Sequence, residues 1–176
     1  MYQTSLAIMR LQPLHIGHER ILQHMLDNSE NVVLLIGSSQ EENTQRNPFD
    51  VKTRKQMIEN IFKNHPNYKN LHIKGIPDLG NPPLWAEYVL NFVKENFSNL
   101  PKPDAYYAGS EDTSLFENIF QNIIIFYRND PNFPFVSGSM LRDMIQEHNP
   151  DWKKYIRPQN HQLVIQHLLS KEKTHD

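Results

Sequence analysis

Short apolar runs alternate along the chain with stretches whose apolar residues recur at helical spacing. Five runs predict buried strands, at residues 6–9, 32–36, 71–73, 105–108 and 123–127. Helical spacing follows the first run from His18 onward. It follows the second run from Asp50, a suitable N-cap, and the third from Pro82 and Pro83, which favour the first turn of a helix.

The second half of the chain continues the alternation. An amphipathic stretch with Leu115, Phe116, Ile119 and Phe120 lies between the fourth and fifth strands. A further helix is predicted with Ser137 or Ser139 as its N-cap, and a terminal helix at residues 160–170. Buried strands that alternate with helices predict an α/β fold, a doubly wound parallel sheet of about five strands. Ligands of such sheets bind beyond the carboxyl ends of the strands, where the strand order reverses.

Composition narrows the class of protein. The 176 residues predict one domain, residues 1–176, with the terminal helix packed on it. The sequence has no cysteine, which excludes disulfides and thiolate metal sites. No apolar run approaches the ~20 residues of a membrane span, and the formal net charge of −2 argues against broad nucleic-acid binding. We therefore expect a cytoplasmic protein that binds neither membranes nor nucleic acid.

The strongest chemical signal lies where the first strand passes into the first helix. Arg10 and Gln12 are followed by His15 and His18, with Gly17 between the histidines. Two imidazoles can donate hydrogen bonds to phosphate, a glycine lets backbone approach a ligand, and the positive end of a helix favours an anion. An isolated pair would more often be two surface histidines, and a zinc site would need a third ligand that is not evident. The strand, turn, glycine and helix together favour phosphate binding.

The His-Ile-Gly-His segment at residues 15–18 resembles the HxGH signature of the nucleotidyltransferase superfamily. Three later segments, in matching order, are similar to the archaeal-type nicotinamide-nucleotide adenylyltransferases. The first is Ile-Gly-Ser-Ser-Gln at residues 36–40, followed by Arg-Asn-Pro-Phe at 46–49 and by Arg54. The second is Ile-Pro-Asp at 76–78, followed by Leu-Trp at 84–85 and Tyr-Val at 88–89. The third is Ser-Gly-Ser-Met-Leu-Arg at 137–142. The match covers roughly residues 9–144. It implies a Rossmann-like nucleotidyltransferase fold and adenylyl transfer from ATP to nicotinamide mononucleotide in NAD biosynthesis.

The resemblance also implies roles for individual residues. His15, His18, Arg10 and Arg46 would be catalytic. ATP would be bound by Arg10, Gln12, His15, His18, Arg46, Gly109, Ser137, Gly138, Ser139 and Arg142, with the loop at 107–112 helping to hold adenine or ribose. The mononucleotide would be bound by Gly37, Ser38, Asp78 and Trp85. Each segment alone has a structural alternative: a simply capped helix at Ser137, a core tryptophan, and a solvated charge at Arg46.

The implied chemistry is attack by the mononucleotide phosphate on the α-phosphorus of ATP, in line and without a covalent intermediate. That phosphate is already anionic at pH 7, so it needs no strong general base. The two histidines would stabilise charge on the α-phosphate and leaving group, and the arginines would hold the phosphates. Mg²⁺ would be carried by ATP, since no acidic metal cluster is evident.

The sequence leaves several alternatives open. The acceptor could be nicotinate mononucleotide or phosphopantetheine, or the donor could supply a cytidylyl group. A regulator that binds nucleotides without turnover is the alternative outside the enzymes, although both histidines and the three predicted phosphate ligands Arg10, Arg46 and Arg142 are present. A homo-oligomer is also left open, because relatives often assemble. No Nudix hydrolase domain is expected after residue 176, although some bacterial relatives carry one.

Overall fold

A computed structural model describes residues 1–109, 113–127 and 129–168 of the chain. Within them lies one parallel five-stranded sheet with the strand order β3-β2-β1-β4-β5. The strands are β1 Tyr2–Met9, β2 Ser29–Ile36, β3 Leu71–Gly75, β4 Ala105–Ala108 and β5 Asn122–Ile125. The chain builds outward from β1 to β3 and then returns to the other side of β1 with β4. This confirms the predicted doubly wound α/β fold, and it puts the reversal of strand order between β1 and β4.

The helices follow the strands as predicted. They are α1 Ile16–Asn28, α2 Val51–Phe62, α3 Trp85–Asn96, α4 Gly138–Gln146 and α5 Pro158–Leu168. The side chain of Asp50 caps α2 by accepting from the backbone N–H of Thr53 at 2.6 Å. Ser137, rather than Ser139, caps α4, since its hydroxyl accepts from the backbone N–H of Met140 at 3.2 Å.

Three elements differ from the sequence-based prediction. The stretch around Leu115 and Phe116 forms turns instead of a crossover helix. Its aromatic rings still cover the sheet, because Phe116 stacks on Tyr106 with ring centroids 4.3 Å apart and Phe120 lies 5.5 Å from the same ring. The two phenylalanines of this stretch are therefore buried against the sheet without regular helical hydrogen bonds. The fifth strand begins at Asn122 and ends before residue 126, and Pro82 opens a short 3-10 turn, Pro82–Leu84, ahead of α3.

Both faces of the sheet are buried, which explains why the strands lack an alternating polar face. Ala7 and Leu34 point into a core built with α1, α2, α4 and α5, whereas Leu6 and Val33 point into a second core with α3. Helix α5 packs against α2, where the Asn160 side chain donates to the carbonyl of Met57 at 3.0 Å. Residues 169 and 170 of the predicted terminal helix lie outside the described residues. No helix in the described part of the chain is long and apolar enough to span a membrane.

Candidate active site

A cavity of about 480 Å³ opens at the carboxyl end of β1, between the starts of α1 and α4. We call it the α1–α4 cavity. It lies at the reversal of strand order, which is where the fold predicts a ligand. Nine of the ten residues predicted to bind ATP line it, namely Arg10, Gln12, His15, His18, Gly109, Ser137, Gly138, Ser139 and Arg142. Residues from three distant segments of the sequence therefore meet in one place.

The two histidines stand at the first turn of α1. His15 is the N-cap, and its Nδ1 accepts from the backbone N–H groups of Gly17 at 3.2 Å and His18 at 3.4 Å. Because Nδ1 is an acceptor in this geometry, Nε2 is the ring nitrogen that can carry a proton to donate. The rings of His15 and His18 stack with centroids 3.7 Å apart, and both residues line the cavity.

Glycine is required where α4 meets the turn after β1. A Cβ added to Gly138 would lie 2.7 Å from the backbone oxygen of Gln12, closer than real Cβ contacts allow. The first backbone N–H groups of α4 can therefore approach the cavity wall closely, and the positive end of this helix points to the same space as that of α1.

Arg10 enters the cavity from the end of β1. Its Nη2 donates to Oδ1 of Asn47 at 2.7 Å and to the carbonyl of Arg46 at 3.4 Å. Its Nε is buried without a partner among the described residues. Burial lowers the pKa of Arg10, and the neighbouring positive charge of Arg46 lowers it further. A guanidinium in these surroundings would be stabilised by an anion.

Arg142 approaches from α4. Its Nη1 donates to the carbonyl of Gln12 at 2.6 Å and its Nη2 to the hydroxyl of Ser139 at 3.2 Å. These two bonds fix the plane of the guanidinium and leave its other N–H groups for a ligand. Burial lowers the pKa of Arg142, and the charge of Arg10 lowers it as well. The arginines are close enough to repel one another, which a bound polyanion would relieve.

Two predicted ATP ligands are placed differently from the rest. The side chain of Arg46 is exposed and does not line the α1–α4 cavity, although its charge acts on Arg10 and Arg142. Gln12 lines the cavity, but its amide pairs with the backbone of Phe49, donating at 2.8 Å and accepting at 3.0 Å. That buried pairing uses both ends of the amide, so Gln12 secures the loop before α2 and offers its backbone to Arg142.

The predicted mononucleotide ligands divide into two groups. Asp78 and Trp85 line a separate cavity of about 300 Å³, together with Leu79, Gly80, Asn81, Pro82 and Leu115. We call it the Trp85 cavity. Asp78 is held by Gln40, whose Nε2 donates to Oδ2 of Asp78 at 3.1 Å and whose Oε1 accepts from its backbone N–H at 3.0 Å. Gly37 and Ser38 line neither cavity and lie at the end of β2.

The structure adds residues that the sequence did not single out as ligands. Asn47 orients Arg10, Gln40 orients Asp78, and Phe133 contributes to the wall of the α1–α4 cavity. Asn47 and Gln40 lie in a polar loop without periodicity, so the signal for a role was that both belong to the motif segments at 36–40 and 46–49.

The predicted metal and adenine-loop features can be followed only within the described residues. No group of three or more histidine, aspartate or glutamate side chains is arranged to hold a metal within residues 1–109, 113–127 and 129–168. Residues 110–112 of the predicted adenine loop lie outside the described residues. Gly109, immediately before them, lines the α1–α4 cavity.

Comparisons with known proteins agree with this fold. The model of the cytidylyltransferase-like family matches residues 10–165. The nicotinamide-nucleotide adenylyltransferase of Thermococcus kodakarensis is 26% identical over 160 residues, which cover 89% of this chain and 79% of that protein. The enzyme of the same name from Saccharolobus solfataricus is 34% identical over 84 residues, 47% of this chain and 49% of that protein.

A solved structure extends the likeness to the fold. The bifunctional NMN adenylyltransferase/ADP ribose pyrophosphatase of Francisella tularensis superposes with a TM-score of 0.71 and 23% identity, over 99% of this chain and 50% of that one. The matched part is thus about half the length of the Francisella chain, as it is for the Saccharolobus protein. The predicted Rossmann-like fold and nucleotidyltransferase superfamily are confirmed, and the chain belongs to the cytidylyltransferase-like family.

Proposed function

We propose that this protein transfers the adenylyl group of ATP to nicotinamide mononucleotide, forming NAD and pyrophosphate. One observation carries the proposal: the positive ends of α1 and α4, two stacked histidines and two arginines all face a single cavity. Relatives that align with 79% to 88% of their length are named nicotinamide-nucleotide adenylyltransferase. The name of those relatives supplies the substrates, and the cavity supplies the reason why a triphosphate would bind.

The triphosphate would lie along the α1–α4 cavity. Backbone N–H groups at the start of α4 and the hydroxyls of Ser137 and Ser139 suit the oxygens of the β- and γ-phosphates. Arg142 comes from the same helix and can bind phosphate through two parallel hydrogen bonds. Arg10 and His18 would then lie near the α-phosphate, at the end of the cavity closest to β1.

The transfer step needs positioning more than proton transfer. An oxygen of the mononucleotide phosphate forms a bond to the α-phosphorus while the bond from that phosphorus to the β-bridging oxygen breaks, and pyrophosphate leaves with the electron pair. The attacking oxygen is already ionised, so no proton must be removed. Nε2 of His15 and the imidazole of His18 would donate to the α-phosphate oxygens as charge develops on them.

A divalent cation would accompany ATP as part of the substrate. The Francisella structure is complexed with AMP and a manganese ion, which supports use of a divalent metal. We propose Mg²⁺, bound by triphosphate oxygens and water, because Mg²⁺ keeps several waters and commonly binds through substrate phosphates.

The acceptor would bind in the Trp85 cavity. The indole face of Trp85 is half-buried and suits a pyridinium ring, which carries positive charge. Asp78, held by Gln40, can accept a hydrogen bond from the carboxamide of nicotinamide. The carboxylate of a nicotinate ring would instead approach the carboxylate of Asp78, so we expect nicotinamide mononucleotide to be preferred.

An acceptor panel tests the proposal. The protein is assayed with ATP and Mg²⁺ against nicotinamide mononucleotide, nicotinate mononucleotide and phosphopantetheine, with chromatographic separation of the products, and CTP replaces ATP in a parallel set. The proposal expects NAD and pyrophosphate in equal amounts, with the highest kcat/KM for the nicotinamide form. Equal or better use of the nicotinate form would contradict the acceptor assignment alone. Binding of ATP without turnover of any acceptor would instead favour a regulator.

A further inference from the structure

Arg54 on α2 is the largest of the fully buried side chains, with none of its surface exposed, although it carries a guanidinium. We infer that Arg54 is a positioning residue, whose guanidinium holds the backbone turns that end β1 and β2 and thereby aims Arg10 at the substrates. The inference rests on the proposed function for the identity of those substrates. The part of the inference that says how Arg54 holds the two turns concerns the backbone alone and does not depend on the substrates.

The contacts of Arg54 run to the ends of both strands. Nη1 donates to the carbonyl of Arg10 at 3.0 Å and to that of Gly37 at 2.8 Å. Nη2 donates to the carbonyl of Ser38 at 3.3 Å, and Nε donates to that of Asp50 at 3.3 Å, at the start of its own helix. One planar group therefore ties β1, β2 and α2 together through main-chain oxygens.

Both tied turns contain a residue in the left-handed region of backbone space. Leu11, directly after Arg10, has φ 53°, and Ser38, directly after Gly37, has φ 48°. Residues other than glycine adopt such angles rarely and at a cost, and they persist where surrounding contacts impose them. Arg54 binds the carbonyls of Arg10, Gly37 and Ser38, which flank or belong to these two residues. It is thus placed to impose the conformation of both turns at once.

The chemistry of the group explains why arginine suits this position. A guanidinium presents five N–H donors in a fixed plane, whereas an ammonium is a compact charge on a flexible stem. Four carbonyls on three elements need the planar group. Burial lowers the pKa of Arg54, while the charges of Asp50 and Asp78 oppose that effect.

The tied backbone leads directly to the predicted ligands. The carbonyl held by Arg54 belongs to Arg10, whose own guanidinium lines the α1–α4 cavity and is oriented by Asn47. A shift of this turn would move the guanidinium of Arg10 without removing any atom that touches a substrate. Misplacement of about 1 Å can cost on the order of 10²-fold in rate.

The experiment compares Arg54→Lys and Arg54→Met with Lys52→Met, which removes an exposed cation from the same helix. Circular dichroism gives the folded fraction, and rates are expressed per folded molecule. We expect Arg54→Lys to fold and to lose about 10- to 100-fold in kcat, with a smaller change in KM for either substrate. Arg54→Met should lose at least as much, and Lys52→Met should match the parent protein.

Amide hydrogen exchange measured by NMR gives a readout that does not depend on activity. The N–H of Gly37 donates to the carbonyl of Met9 at 3.0 Å and that of Ser39 to the carbonyl of Ile76 at 3.2 Å. Arg54→Lys should speed exchange at these two amides and leave that of Leu34, within β2, unchanged.

The outcomes separate this inference from the proposed function. If the parent protein makes no NAD while Arg54→Lys still speeds exchange at Gly37 and Ser39, only the proposed function fails. If turnover per folded molecule and both exchange rates match the parent, the inference is overturned. A chain that cannot fold with either substitution assigns Arg54 to stability of the whole fold, and that result overturns the inference too.

Discussion

The α1–α4 cavity is walled by side chains that other parts of the protein hold in place, whereas most of the wall of the Trp85 cavity is exposed to solvent. Arg10 is held by Asn47, Arg142 by the carbonyl of Gln12, and His15 by the backbone of its own helix. In the Trp85 cavity, Leu79 and Leu115 are 40% and 42% exposed. Of the two predicted ligands there, Asp78 is exposed and held by Gln40, and Trp85 is half-buried.

This difference between the cavities fits two different tasks, stabilisation of charge and recognition of a ring. Stabilising charge on a transferring phosphoryl group depends on donors that are fixed before the reaction, because reorganisation would consume the benefit. Recognition of a flat ring can rely on one aromatic face and a few polar contacts. We therefore expect changes in the α1–α4 cavity to lower kcat strongly, and changes in the Trp85 cavity to act on KM more weakly.

The largest effect is expected for His18→Ala. The substitution removes the proposed donor to the α-phosphate and the ring that stacks on His15, so kcat should fall by about 10²-fold or more, while the Kd for ATP changes less. Steady-state kinetics and calorimetric titration of ATP check this. His72→Ala is a matched control, since that ring packs on Phe97 and lines neither cavity. A near-normal kcat for His18→Ala would remove this histidine from the mechanism.

Arg142 should give the next largest effect. Arg142→Lys keeps the charge and loses the planar pair of donors, so kcat/KM for ATP should fall by about 10-fold, and Arg142→Ala by about 10- to 100-fold. Arg20→Lys serves as the control, because this exposed arginine on α1 does not line the cavity. Parent-like kinetics of Arg142→Ala at low ATP would place the triphosphate elsewhere.

Trp85→Ala should act on the acceptor alone. Loss of a cation–π contact worth about 0.5–2 kcal/mol raises KM for nicotinamide mononucleotide by about 2- to 30-fold and leaves that for ATP unchanged. Trp85→Phe keeps an aromatic face and should recover part of the loss. The comparison between the two cavities breaks down if Trp85→Ala lowers kcat as strongly as His18→Ala does.

Gln40→Leu should give the smallest effect and sharpen the role of Asp78. Gln40 makes two hydrogen bonds to Asp78, and losing them frees an exposed carboxylate to adopt other positions. KM for nicotinamide mononucleotide should rise by about 2- to 10-fold, the range expected for net hydrogen bonds of about 0.5–1.5 kcal/mol. The ratio of kcat/KM for the nicotinamide and nicotinate forms should fall at the same time. An unchanged ratio would mean that Asp78 does not select the ring.

The sheet and the α1–α4 cavity could be predicted from the sequence because local signals specified them. Buried strands appeared as apolar runs, and the helix caps appeared as polar residues before helical spacing, Asp50 for α2 and Ser137 or Ser139 for α4. The segment around Phe116 was less predictable, since aromatic rings can cover a sheet from turns as well as from a helix. The local sequence does not indicate whether turns or a helix place these apolar residues against the sheet.

The parts of the site that could not be predicted from the sequence depend on long-range hydrogen bonds. Nothing near Gln12 indicates that its amide pairs with the backbone of Phe49, 37 residues away, in place of facing a ligand. The same holds for Arg54, whose partners at the ends of β1 and β2 lie 44 and 17 residues away in the sequence. Such partners become apparent only when the strand order is known.

Separate titrations of the two substrates test the account most directly. Calorimetry with Mg²⁺-ATP alone and with nicotinamide mononucleotide alone is carried out on the parent protein, Arg142→Lys and Trp85→Ala. The account predicts a crossed pattern, in which Arg142→Lys weakens only ATP binding and Trp85→Ala weakens only mononucleotide binding. Equal weakening of both ligands by either substitution would contradict the assignment of the two cavities to two substrates.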